Sequence, residues 1–318
     1  ARSGPFGCTG TEELSEFVGP PGRRRPKFSL PPAVRIWYKA SMTARIPPKK
    51  SLGQHFLADR NILAGILDLL GLEAGQDVVE IGPGPGGLTR ALLERGCRVL
   101  AVEIDPRCGE ALRAELGGEP GFRLVQADAL KADFPALLRE AGFRPPVTVA
   151  GNFPYTFGTA LLRRILPQRE WVRRVGGLLQ DEVVRRLAAA PGTPDYGYLT
   201  LYAWYYAVTS AGALVRPGAF RPPPKVRSRT FRAEVRPAPL LPPEAEARYL
   251  ELVSAAFAAP RKTLANNLRR AGWPSPPLQD FLSGRGLPAD ARPAALAPED
   301  YLKLARHPHA AVPDVGPR

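Results

Sequence analysis

From residue 61 onward, short apolar runs alternate with helix-length segments, and this alternation most narrows the folds open to the chain. Residues 61–70 carry Ile62, Leu63, Ile66, Leu67 and Leu70 on one helical face. Residues 78–81 then read as a short buried strand, 88–95 as a helix, 98–103 as a strand and 106–116 as a helix. The segments 122–126, 135–141, 147–150, 159–165 and 175–179 continue strand, helix, strand, helix, strand. Strands joined through helices need right-handed crossovers, which place helices on both faces of a mostly parallel sheet. Two later strands, at 199–207 and 227–235, are expected to close an antiparallel edge.

Pro-rich breaks follow. Residues 216–225 read as a stiff, polyproline-like connector, and 237–243 as a second break. Beyond it only helical patterns remain, at 244–258, 262–270, 278–282 and 298–304. The expected division is a sheet domain over 42–238 and a small all-helical C-terminal domain over 239–318, ending in a disordered tail. Residues 1–41 are Pro-, Gly- and Ser-rich, carry Arg23–Arg25 and show no period. Met42 is the one methionine, so 1–41 is expected to be a disordered or non-native extension ahead of the true start.

Composition excludes several classes. The net charge of +14 points to a polyanionic partner, without separating RNA from DNA or an acidic membrane surface. Cys8, Cys97 and Cys108 form no CxxC pair, which rules out a disulfide scaffold or zinc ribbon and suits a reducing compartment. His55, His307 and His309 are too scattered for a metal cluster, so no metal is expected. Residues 198–215 lack any charge but include Thr, Ser, Gly, Tyr and Trp; they read as two strands around a turn, not as a membrane span.

Chemistry concentrates at the strand ends. Glu80-Ile-Gly-Pro-Gly-Pro-Gly-Gly-Leu-Thr89 follows a strand and opens a helix, so Gly82 and Gly84 let the backbone approach a ligand without a Cβ in the way. Glu103 ends the next strand, where a carboxylate can accept from ribose hydroxyls. Alone the pair is also what nicotinamide oxidoreductases carry, or a tight turn with a surface Glu. Asp128 follows the third strand, placed to accept from an adenine amine or to cap the next turn.

Gly151-Asn-Phe-Pro-Tyr155 is the most informative motif. The exocyclic amine of adenine is a poor nucleophile because its lone pair is delocalised into the ring. Asn152 and a backbone carbonyl beside Pro154 can accept both amine N–H groups, favour pyramidalisation and aim the lone pair. Pro154 has no N–H and stiffens the loop. Tyr155 offers a face for an unstacked base. The competing structural role is an Asx turn with a core Tyr.

Lys49-Lys-Ser-Leu-Gly-Gln-His-Phe-Leu57, the Gly-rich turn, Glu103, Asp128 and Asn152–Tyr155 together resemble the small-subunit (16S) rRNA adenine dimethyltransferase family. So do Phe220-Arg-Pro-Pro-Pro-Lys-Val226 with Ser228, Arg261-Lys-Thr-Leu264 and Ala291-Arg-Pro-Ala-Ala-Leu296, covering about residues 47–306. The resemblance implies a Rossmann-like class I methyltransferase sheet with helices on both faces. It implies S-adenosylmethionine as cofactor, contacted by His55, Leu57, Gly82, Glu103, Asp128 and Asn152. It further implies transfer of two methyls to each of two adjacent adenosines in the 3′-terminal hairpin of small-subunit rRNA, in the assembling 30S particle, by a cytoplasmic monomer. Three departures stand out: Phe153 where Leu or Ile is usual, Thr156-Phe157 where Asn-Ile is frequent, and Ala259-Pro260 where basic residues are usual.

Methyl transfer from an activated donor needs positioning more than a strong base, which suits a chain with no His or Cys dyad. For RNA, Arg216, Arg221, Lys225, Arg227, Arg229, Arg232 and Arg236 crowd one segment against Glu234, with further charge from pairs such as Arg173-Arg174. Arg261 and Lys262 are expected to add contacts from the helical domain, and Phe220 to cover the second face of the base. A large-subunit rRNA adenine methyltransferase of the antibiotic-resistance type and a non-catalytic RNA-binding assembly factor are the rival readings.

Overall fold

The computed structural model describes residues 46–49, 52–57, 59–273 and 276–306. The expected N-terminal extension (1–41), Met42 and the C-terminal tail beyond 306 lie outside the described residues. After a two-residue strand β1 (Phe56–Leu57), the chain runs α1 (Arg60–Leu69), β2 (Asp77–Ile81), α2 (Gly87–Glu94), β3 (Arg98–Glu103), α3 (Pro106–Leu116) and β4 (Phe122–Gln126). It continues with α4 (Phe134–Ala141), β5 (Val147–Asn152), α5 (Gly158–Ile165), β6 (Val172–Gln180) and α6 (Asp181–Leu187). Then come α7 (Tyr198–Tyr206), β7 (Ala207–Val215), β8 (Phe220–Arg221), β9 (Ser228–Val235), α8 (Pro243–Ala256), α9 (Leu264–Arg270), α10 (Pro276–Gly284) and α11 (Pro298–Arg306).

The main sheet has the order β4-β3-β2-β5-β6-β9-β7. β2 to β6 pair in parallel, and β9 and β7 add antiparallel strands. Side chains alternate across it. Val79, Ile81, Leu100, Val102 and Val149 enter one hydrophobic cluster, while Val78, Val99 and Ala101 enter the other with Leu63, Ile66 and Leu92. Burial on both faces explains why these strands read as apolar runs. Helix starts are encoded locally: Asp59, Asp105 and Asp133 each accept backbone N–H groups at an N-cap, and Pro sits in the first turn after Asp105 and Asp133.

The first cluster also takes in Tyr249, Leu252, Leu264, Leu268, Tyr301 and Ala305, so the core runs on past residue 239 into the C-terminal helices. All described residues belong to one compact unit.

Two expectations are corrected. Residues 199–207 are not a strand: α7 occupies 198–206, and the antiparallel edge strand is β7, 207–215. A helix buried almost all round shows no amphipathic period, so its aromatic residues read as strand formers. Tertiary hydrogen bonds reward the helical form. The Tyr205 and Tyr206 hydroxyls reach the Glu246 carboxylate, at 3.1 and 2.7 Å, and Tyr202 donates to Arg163 O at 2.7 Å. The connector at 216–225 is likewise more than a spacer, because β8 within it pairs antiparallel with β1. Among the described residues, no helix is long and apolar enough to cross a membrane.

Candidate active site

In the sheet order, β2 lies between β3 and β5: the chain winds outward from β2 through β3 to β4, then returns to the other side of β2 as β5, so the winding reverses there. A crevice opens at the carboxyl ends of the strands at such a switch point. Here it is lined by Gly82 and Gly84 after β2, Glu103 and Ile104 after β3, Asp128 and Ala129 after β4, and Asn152 to Tyr155 after β5. His55 and Phe56 close it from the N-terminal side.

Gly82 and Gly84 both have positive φ, 66° and 56°. A Cβ on Gly82 would meet nothing within 4 Å, whereas one on Gly84 would stand 3.1 Å from the Phe56 ring. The Gly-rich turn is therefore open at its first glycine and covered at its second. Glu103 is buried; its Oε2 accepts from Gly84 N at 2.9 Å and its Oε1 from Asp105 N at 2.8 Å. Burial raises its pKa, opposed by these backbone donors. Each carboxylate oxygen still has a lone pair to offer. Asp128 caps the following turn, its Oδ1 accepting from Leu130 N at 2.9 Å, and also faces the crevice.

The segment before β1 lies across the crevice as a strap, held at both ends. At one end Asp105 accepts from Gln54 Nε2 at 3.1 Å and pairs with Lys49 at 3.5 Å and Arg107 at 2.6 Å. Arg107 also donates to Pro47 O at 3.0 Å. At the other end Leu57 pairs with Phe220 in the β1–β8 ladder, and His55 Nδ1 lies 2.9 Å from Pro222 O. The Arg107 guanidinium holds the Asp105 carboxyl far below the usual carboxylate range.

Asn152 Nδ2 donates to His55 O at 2.7 Å. That bond turns the amide so that its Oδ1 has no donor among the described residues. Pro154 O accepts from Gly158 N at 2.9 Å, while the Phe153 carbonyl receives no hydrogen bond among the described residues. Two acceptors thus stand free at one loop. The Tyr155 hydroxyl hydrogen-bonds Ser228, and its ring stacks on His55 with centroids 5.5 Å apart. Phe153, the departure at the second loop position, is buried in the core against Phe231 at 5.8 Å.

Beside the crevice, sharing Gly82 and Asn152 with it, a smaller hollow is lined by Leu57 and Glu80. Glu80 is fully buried and its Oε2 has no hydrogen-bond partner among the described residues. Burial pushes its carboxyl up to about 8, with nearby Glu103 adding to the rise.

Sequence reasoning missed Ile104, a 43% exposed apolar side chain at the crevice wall, and the Asp105 anchor of the strap. An apolar residue directly after Glu103 and the N-cap Asp before Pro106 were the available signals. The residues expected to face RNA are only partly gathered. Arg221, Lys225 and Arg227 are exposed; Arg221 pairs with Phe56 in the β1–β8 ladder, and Arg227 with Asp181 at 3.4 Å. Arg261 and Lys262 are exposed in the turn between α8 and α9 and do not line the crevice. Phe220 departs from expectation: it is 0% exposed and packed with Leu57, Val215 and Ala219, so it supports the strap and has no face to offer a base.

A doubly wound sheet carrying a glycine turn, an acidic residue after β3 and an Asn-x-Pro-Tyr loop at its switch point is a Rossmann-like methyltransferase architecture. The chain belongs to the family described as ribosomal RNA adenine dimethylase, whose sequence pattern matches residues 47–306. It is 40% identical over 283 residues to ribosomal RNA small subunit methyltransferase A of Ruegeria sp. (strain TM1040), covering 87% of this chain and 96% of that protein. The crystal structure of the 23S rRNA methyltransferase ErmE aligns with TM-score 0.64 and 30% identity over 79% of this chain and 98% of that one. A dimethyladenosine transferase from Plasmodium falciparum, 24% identical with TM-score 0.65 over 79% of this chain and 96% of its own, shares the fold.

Proposed function

We propose that this chain dimethylates the exocyclic N6 amines of two adjacent adenosines in the 3′-terminal hairpin of small-subunit rRNA, using S-adenosylmethionine, as a cytoplasmic monomer acting on assembling 30S particles. The observation that carries the reading is the Asn152–His55 hydrogen bond, which leaves Asn152 Oδ1 and the Phe153 carbonyl as a pair of acceptors at the crevice. S-adenosylmethionine, when bound, supplies a methyl group already activated on a sulfonium.

The residues present fit that cofactor. Glu103 retains acceptor capacity for ribose hydroxyls, and Ile104 with Ala129 gives apolar walls for an adenine ring. The open space above Gly82 and the unpartnered buried oxygen of Glu80 suit a cationic methionine end. His55 and Leu57 hold the strap that covers it.

Asn152 Oδ1 and Phe153 O accept the two N–H groups of the target amine and turn its lone pair into the crevice. Tyr155, fixed by Ser228, supplies the stacking face. A base sharing that face would displace or sandwich with His55, whose ring stacks there now. With the donor bound, the sulfonium would supply its methyl to the amine nitrogen held by Asn152 and Phe153, and the amine proton would then pass to water. Holding the groups in line supplies most of the advantage of such a step. The exposed Arg221, Lys225 and Arg227, with Arg261 and Lys262 on the helical region, are the residues read as contacting phosphates.

The test is transfer of labelled methyl from the cofactor to immature small subunits or to large subunits, followed by nucleoside mapping. Dimethyladenosine at two adjacent positions of small-subunit rRNA is expected. Label confined to large subunits favours the alternative suggested by the likeness to the 23S rRNA enzyme, and no label in adenosine refutes the reading.

A further inference from the structure

The opposite edge of the sheet holds a second polar cavity, of about 390 Å³, which the methyl-transfer site does not use. It lies at the amino ends of the strands: Asp77 begins β2, Arg98 begins β3, Pro146 precedes β5 and Arg173 is the second residue of β6. Five- and six-residue strands at about 3.3 Å per residue put it roughly 15–20 Å from the crevice, with the sheet between them.

The bay is built rather than incidental. Asp77 is its organiser. Both its carboxylate oxygens take the Arg98 guanidinium, at 2.6 Å each, and Oδ2 also accepts from Arg144 N at 2.8 Å. Arg98 further donates to Gly142 O at 3.1 Å and lies 4.7 Å over the Phe143 ring. One carboxylate therefore fixes both a guanidinium and the loop that carries Arg144. Its charge is spent on Arg98. The Arg144 and Arg173 side chains are exposed and have no acidic or aromatic partner among the described residues. Two unneutralised cations thus face one cavity on a preorganised floor. By contrast, Arg174 next in sequence is consumed by Glu234 and Leu70 O.

We propose that this bay is a second RNA-contact surface, in which Arg144 and Arg173 bind backbone phosphates of a segment distinct from the one entering the crevice. The inference rests on the rRNA-methyltransferase reading above. Guanidinium groups match phosphate oxygens in geometry and in charge, and such contacts position a large RNA without reading its sequence. A target reaching both edges of the sheet must be an extended, folded RNA; a short hairpin lying in the crevice leaves the bay empty.

The test uses the full chain and its double variant Arg144→Gln/Arg173→Gln. Binding to immature small subunits is measured across a salt series, and methylation of a minimal target hairpin serves as the internal reference. Losing two phosphate contacts is expected to flatten the log Kobs against log[salt] slope by about 1.4–1.8 and to weaken particle binding at 0.1 M salt on the order of tenfold. Hairpin methylation should be unchanged. An iron chelate tethered at Arg144→Cys should cleave rRNA outside the target hairpin. An unchanged salt slope overturns the proposal. So does absence of rRNA cleavage, which would assign the bay to an acidic protein partner. Failure of the wild-type chain to methylate the immature particle would instead sink the catalytic reading, and is scored separately.

Discussion

At the carboxyl ends of β2, β3 and β5 the protein binds many of its own polar groups: Glu103 takes two backbone N–H groups, Asp105 clamps three side chains of the strap and the next turn, and Asn152 is tied to His55. At the amino ends of β2, β3 and β6 and just before β5, Asp77 organises the floor while Arg144 and Arg173 are left unpaired among the described residues. The closed end spends hydrogen bonds on orientation, leaving a few acceptors in defined places. The open end leaves cations free, which suits affinity for a polyanion without choice of atom. Chemistry needs the first design, and attachment to a large RNA needs only the second.

Breaking the closed end should cost most. Asn152→Ala removes one of the two amine acceptors and the bond to His55, and should lower the methylation rate on the order of 10²–10³-fold, the scale seen when one preorganised polar group is lost. Particle binding measured by filter retention should persist. Full activity would remove the amine clamp from the account. Next in size is Glu103→Ala, which should weaken cofactor binding by about 10–100-fold in calorimetry, the worth of a hydrogen bond to a charged group. Unchanged affinity would refute the ribose assignment.

A smaller effect is expected from the strap anchor. Asp105→Asn frees Lys49 and loosens Gln54, so the apparent KM for cofactor should rise several-fold while kcat on saturated enzyme changes little. The Asp105 pKa is depressed in the folded state, so its contribution is complete above about 3.8 and drains only as pH falls below it. Strap closure should therefore be flat across pH 5–8, and a KM rise within that window would point to another group. The smallest effect concerns Glu80. Its folded pKa, about 8, lies above the ordinary 4.5, so ionising it costs stability progressively from pH 4.5 to 8. Glu80→Gln should match wild type in thermal midpoint at pH 5 and exceed it by a few degrees at pH 9. Parallel midpoints across that range would mean the carboxyl is already solvated.

Much of the closed end was legible because it is written in short, contiguous signals. Gly82 and Gly84 in a strand-to-helix turn, Glu103 one strand later and Asn152-Phe-Pro-Tyr155 at the next strand end all follow from local spacing. The strap's fastening was not. Gln54 and Asp105, or His55 and Pro222, meet only after the sheet and the β1–β8 ladder bring them together. Phe220 misled for the same reason: an aromatic in a Pro-rich segment reads as exposed until its partner Leu57 is known. Residues 198–206 failed on different grounds, since full burial erases the helical period that sequence reasoning depends on.

Apolar periods and caps alone determined the alternation of elements, the parallel sheet and the glycine turn, because those depend on interactions a few residues apart. Tertiary structure decided which aromatic residues face solvent, which carboxylates are already occupied, and that Arg144 and Arg173 share a bay. These are properties of groups distant in the chain, whose pairing and solvation exist only once long-range contacts have formed.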